Sequence, residues 1–131
     1  NIMKTMKDFP ECPIATTVQL IGSKWKLLIV RNLLNRPWRF NELKRNLGTV
    51  SQKVLTDSLR SLEEDGLVIR TVFPETPPHV EYSLSELGRS LSPILDAMAQ
   101  FGDAYKKSLK KRAWKEGGMP SSQALFLNSL M

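Results

Sequence analysis

Residues 41–66 read NELKRNLGTVSQKVLTDSLRSLEEDG. Leu43 and Leu47 stand four apart, as residues on one helix face do. Gly48-Thr49-Val50 then interrupts the pattern for about three residues. Ser51 is a good capping residue for a second helix, and Gly66 stands where a glycine commonly follows a helix end. Spaced at 100° per residue, Val54, Leu55, Ser58, Leu59 and Leu62 share one arc. Lys53, Thr56 and Arg60 fall near the opposite pole, with Gln52 and Asp57 on the flanks. The spacing predicts a short helix from Asn41 to Leu47, a tight turn, and a longer helix to about Asp65 with one apolar and one polar face.

Outward toward the C-terminus the period changes. Leu67 to Phe73 alternates as a strand does, Pro74 to Pro78 reads as a turn-rich tip, and Val80 to Leu84 returns as a second strand. The pair is a β-hairpin. Ser85 caps a further helix with Leu87, Leu91, Ile94, Leu95, Met98, Phe101, Tyr105 and Leu109 along one face. Pro93 predicts a kink or a restart capped by Ser92. Lys106 to Lys115 is strongly basic, and Gly117-Gly118 ends it.

Outward toward the N-terminus, Arg36-Pro37 stops a central helix that runs from the capping Ser23 to about Asn35. Its apolar residues, including Trp25, Leu27, Leu28, Val30 and Leu33, cover more than a stripe and predict burial. Trp38-Arg39-Phe40 reads as a short extended piece. Before it, Cys12-Pro13 opens a helix with Ile14, Val18 and Ile21 at helical spacing. The expected organisation is a flexible arm over 1–11, one domain over 12–112, and a tail over 113–131 that forms a short helix or stays loose.

The order is helix, helix, short helix, helix, hairpin, long helix. This is a mainly α architecture with a β-hairpin (α+β), in which a helix-turn-helix is followed by a wing. The last helix carries more apolar face than so small a domain needs. Its Leu87 to Leu109 face and the Ile14 to Ile21 helix are therefore expected to pack against a second subunit, making a homodimer.

Charge narrows the partner. The chain has 131 residues and a formal net charge of +6. Lys24 to Arg60 holds nine basic and two acidic residues, so that segment is +7 and the remainder −1. A basic field confined to one segment points to a polyanion, most commonly nucleic acid. Gln52, Lys53, Thr56 and Arg60 are side chains that bond base edges, while Arg39, Lys44, Ser51 and Arg70 suit phosphate. Glu63, Glu64 and Asp65 would repel phosphate, so the helix is expected to enter DNA by its Ser51 end. His79, the single histidine, is either a wing contact or, better, an exposed tip residue.

Other chemistries lack residues. One cysteine and one histidine leave no internal disulfide, no Cys/His zinc set and no nucleophile–histidine pair. There is no glycine-rich phosphate loop, so neither an enzyme nor a cofactor is expected. Trp25, Trp38 and Trp114 read as packing residues. No apolar run approaches the ~20 residues that span a bilayer, and no secretory signal is evident. The expected location is cytoplasmic. A different class of function remains open: a winged helix that binds an acidic protein partner.

Several stretches resemble the HxlR-type regulators, relatives of the MarR group. They are Cys12-Pro13, Ile21-Gly22-Ser23-Lys24-Trp25, Arg39-Phe40-Asn41-Glu42-Leu43, Val50 to Thr56, Leu62 to Leu67, Pro77 to Leu84, and Leu87-Gly88. The resemblance covers about residues 12 to 105. It departs from the pattern at Ser23, often a glycine, and at Phe101-Gly102, where tryptophan often precedes the glycine. It implies homodimers that bind pseudo-palindromic operators and mostly repress nearby genes. It also implies a role for Cys12, since an N-terminal cysteine of this kind senses electrophiles or oxidants in some relatives. A position just ahead of a helix favours the thiolate. The other reading of Cys12 is a small, partly buried apolar residue.

Overall fold

The computed structural model describes residues 4–117, with side chains through Ala113. The tail expected beyond Gly117 lies outside the described residues, as does the Trp114 side chain. The chain divides after Ser92 into two compact units.

The first unit opens with a single 3-10 turn, Met6–Asp8, and then α1, Pro13–Ile21. Next come α2, Lys24–Leu33, the two-residue strand β1, Trp38–Arg39, and α3, Phe40–Leu47. The long polar-faced helix is α4, Gln52–Glu64. Strands β2, Val68–Phe73, and β3, His79–Leu84, form the hairpin, and α5, Glu86–Arg89, closes the unit. The second unit continues α6, Ser92–Gly117, which begins at the residue before Pro93 as a restart rather than a kink.

The caps explain the boundaries. The Ser23, Ser51 and Ser85 hydroxyls accept from the N–H groups of Lys26, Val54 and Gly88 at 3.1, 3.1 and 3.0 Å. Each satisfies one first-turn N–H that has no partner inside its helix. At the far end of α4 the chain reverses through Gly66 at φ 77°, a conformation costly for residues with a Cβ. The Leu67 N–H reaches back to the Leu62 carbonyl at 3.0 Å, which closes the helix end.

Helix α2 is the central one, with Ile29, Val30, Asn32 and Leu33 buried. Leu43 and Leu47 of α3, Leu55, Leu59 and Leu62 of α4, and Val68 and Leu84 of the hairpin pack into the same core, with Ile21, Val50, Leu67 and Leu91 buried beside them. Each such aliphatic side chain contributes about 1.5–3 kcal/mol by leaving water. A polar network crosses it. Asn32 Nδ2 donates to Asn46 Oδ1 at 2.8 Å, and Trp38 Nε1 donates to the Asn32 carbonyl at 2.9 Å.

The sheet has three strands, not two, in the order β1-β3-β2. Trp38 pairs with Tyr82 and Arg39 with Glu81, both antiparallel, so the extended piece before α3 is the third strand of the wing. Phe73 faces His79 and Val68 faces Leu84 across the hairpin. This pairing fixes the wing beside the start of α3.

Candidate nucleic-acid interface

The exposed side of α4 carries Gln52, Lys53, Asp57 and Arg60. Its buried residues are Leu55, Ser58, Leu59 and Leu62. That arc is narrower than the spacing predicts and is turned away from Val54, which is 39% exposed. Val54 lies about 90° from the centre of the buried arc, so it borders the polar face. Thr56 is half-buried on the opposite flank.

Lys53 and Asp57 are not independent. Their side chains meet at 2.7 Å, an i,i+4 pair on the surface of α4. The Lys53 ammonium holds the Asp57 carboxyl below its ordinary range. Arg60 lies one turn further on and adds to that effect through space. Among the described residues, Lys44, Arg45, Arg60 and Arg70 make no ion pair. The α4 N-terminus adds first-turn N–H groups, which suit an anion.

Helix α3 supplies a second set. The Arg39 N–H donates to Glu42 Oε1 at 2.8 Å, and Arg36 lies 3.5 Å from the same oxygen. These contacts hold the Glu42 carboxyl below its ordinary value, the Arg39 N–H being the larger cause. Arg36 stacks on Trp38, 3.8 Å from the ring centre. A recess of about 600 Å³ lies between the start of α3 and β3, with Arg39, Phe40, Arg45, His79 and Val80 in its walls. Arg45 also joins Lys44 around a neighbouring recess of about 560 Å³. The geometry thus singles out Arg45, which sequence reasoning counted as charge but did not assign.

His79 is not an exposed tip residue. Its side chain is 14% exposed, with Nδ1 3.2 Å from Glu75 and Nε2 3.0 Å from Glu81. The ring stacks on Phe73 with centroids 4.7 Å apart. Pairing in β3 draws it into the hairpin, so the hairpin's exposed basic residue is Arg70 and not His79. Ser51 is occupied as an acceptor by its own cap, which leaves its hydroxyl hydrogen available to a phosphate. Cys12 is exposed and is the residue before α1.

The fold is a helix-turn-helix with a three-stranded wing, and residues 20–110 match the HxlR-like helix-turn-helix family, whose named relatives are transcriptional regulators. The chain belongs to that family, a non-enzymatic class. It is 42% identical over 104 residues to the HTH-type transcriptional regulator YdeP of Bacillus subtilis, covering 79% of this chain and 81% of YdeP. Among solved structures it is similar to the redox regulator HypR. The reduced form is 40% identical with a TM-score of 0.72, over 76% of this chain and 99% of HypR. The oxidised form is 43% identical with a TM-score of 0.68, over 71% and 96%. Diamide-treated YodB of B. subtilis is 36% identical with a TM-score of 0.62, over 72% of this chain and 94% of YodB.

Proposed function

We propose that this regulator is a homodimeric repressor that binds a pseudo-palindromic operator, with the N-terminal half of α4 in the major groove. The observation that carries the reading is the solvent-facing Gln52, Lys53 and Arg60 on the second helix of a helix-turn-helix. Gln52, Lys53, Thr56 and Arg60 read bases. Arg39, Lys44, Ser51 and Arg70 hold phosphates, and Arg45 joins them. His79, faced by two carboxylates, supports the wing.

The dimer rests on uncovered apolar surface. Ile14 and Val18 of α1 are exposed, as are Met98, Phe101, Tyr105 and Leu109 of α6. Such faces mark association surfaces. The protein works in the cytoplasm, where its DNA lies.

Cys12 is the proposed sensor. Its exposure just ahead of α1, and the chain's similarity to a redox regulator and to a diamide-treated structure, support a thiol switch. The test is a gel shift on the intergenic DNA upstream of the gene, with and without diamide. Specific binding should fall steeply with salt, in line with the phosphates neutralised. Absence of duplex binding at low salt would replace this reading with a protein-docking module for an acidic partner. Cys12→Ser should bind equally well and ignore diamide; an unchanged diamide response removes the sensor.

A further inference from the structure

Lys4 Nζ lies 2.8 Å from Asp65 Oδ1, a contact between the N-terminal segment and the far end of α4. The two residues are 61 positions apart. The Asp65 side chain is 3% exposed, so this carboxylate is almost fully covered. It is also the capping residue at the C-terminal end of α4, with Glu63 and Glu64 just before it. Helix C-termini already carry partial negative charge, which a cation there offsets. A covered carboxylate without a counter-charge is strongly unfavourable.

The segment that brings Lys4 there is itself fixed. The Thr5 N–H donates to Asp8 Oδ2 at 2.6 Å, closing the 3-10 turn. Gln19 Nε2 of α1 donates to the Asp8 carbonyl at 3.2 Å, and Thr16 Oγ1 donates to the Pro10 carbonyl at 3.1 Å. The Lys4 ammonium also lies 5.8 Å from the centre of the Phe9 ring. The segment is thus bonded to α1 at Asp8 and Pro10 and to α4 at Lys4. Asp65 holds the Lys4 ammonium above its ordinary range.

We propose that Lys4 and Asp65 are a positioning pair: the N-terminal segment is a strap that sets the far end of α4 relative to α1. The consequence for DNA rests on the operator-binding reading above. In a dimer joined partly through α1, the strap would relate the reading helix to the dimer axis. Half-site spacing is a geometric property of that relation.

Hydrogen exchange on the intact protein tests the strap without DNA. Lys4→Ala should speed exchange of the amides at residues 62–66 roughly ten-fold, and Lys4→Arg should restore protection. Unchanged exchange in Lys4→Ala overturns the proposal. So does fast exchange that Lys4→Arg fails to repair, because the effect would then not come from an ion pair. A second arm uses the best-bound inverted repeat from a random duplex pool, with its half-site spacing varied by one or two base pairs. The parent should discriminate between spacings, and Lys4→Ala should lose that discrimination while holding a single half-site as before. Retained discrimination overturns the positioning role. Failure of the parent to bind any duplex would sink the operator reading alone, and exchange would still decide the strap.

Discussion

Asn32 Nδ2 donates to Asn46 Oδ1 across 2.8 Å, and this bond ties the last turn of α2 to the last turn of α3. The Asn32 carbonyl accepts from Trp38 Nε1 at 2.9 Å, and its side-chain oxygen accepts from Arg31 Nε and Nη2 at 3.1 and 3.0 Å. One buried residue, through its side-chain amide and its backbone carbonyl, therefore joins the central helix, the first helix of the helix-turn-helix and the third wing strand.

Removing a partner from this network should cost more than the bond itself gains. Asn46→Ala leaves the buried Asn32 amide with an unsatisfied donor, a penalty of about 1–3 kcal/mol. Urea denaturation should show a lower midpoint with an unchanged slope. A midpoint equal to the parent's would mean the network is dispensable.

Arg60→Ala should weaken binding to the best duplex by about 1–3 kcal/mol and relax preference at one base position. Lys53→Ala should cost less, because the Lys53 ammonium is already shared with Asp57 at 2.7 Å. Competition titrations at one salt concentration measure both. Equal losses for the two variants would contradict the inequality the ion pair creates.

A methyl group at Gly88 would run into the Leu67 backbone carbonyl, which has no room to retreat because it also accepts from the Ser85 N–H at 3.0 Å. Gly66 has open space for a Cβ but a φ of 77°. Gly66→Ala should therefore lose about 1 kcal/mol from backbone strain. Gly88→Ala should lose clearly more, since it must shift packed backbone. Thermal unfolding of the pair orders them.

The Glu42 carboxyl has a folded pKa below its ordinary value of 4.5, chiefly because it accepts from the Arg39 N–H. A group depressed in this way stabilises the fold above its ordinary value, and the contribution disappears as pH falls through the lowered one. Stability of the parent should thus drop on the acid side of pH 4.5 more than that of Glu42→Gln. Denaturation midpoints from pH 7 downward, parent against variant, give the comparison. Parallel acid limbs would show that Glu42 takes no part.

Much of this was legible in the sequence because it is local. Ser51, the Leu55, Leu59 and Leu62 spacing, and Gly66 each act within a few residues, so helix α4 could be read almost to its ends. The Lys53–Asp57 pair has a local signature too, an i,i+4 spacing of opposite charges, which reading the helix by its faces passed over. What escaped depends on distant parts of the chain meeting. Nothing near Trp38 says that it pairs with Tyr82, and nothing near Lys4 points to Asp65. His79 was misread for the same reason: a proline-rich neighbourhood suggests exposure, while the strand register lays its ring on Phe73. Val54 failed on geometry, since a five-residue apolar arc did not reveal which edge the core would leave uncovered.

The strand order β1-β3-β2 leaves β2 at the margin of the sheet, with one side of its backbone unpaired within the described residues. Ile69 and Val72 of that strand are exposed. An open margin with apolar side chains is a template for sticking to another chain. Arg70 interrupts it, as a charge placed between such residues resists edge-to-edge growth. Arg70 thus protects solubility, and replacing it with an apolar side chain would invite aggregation.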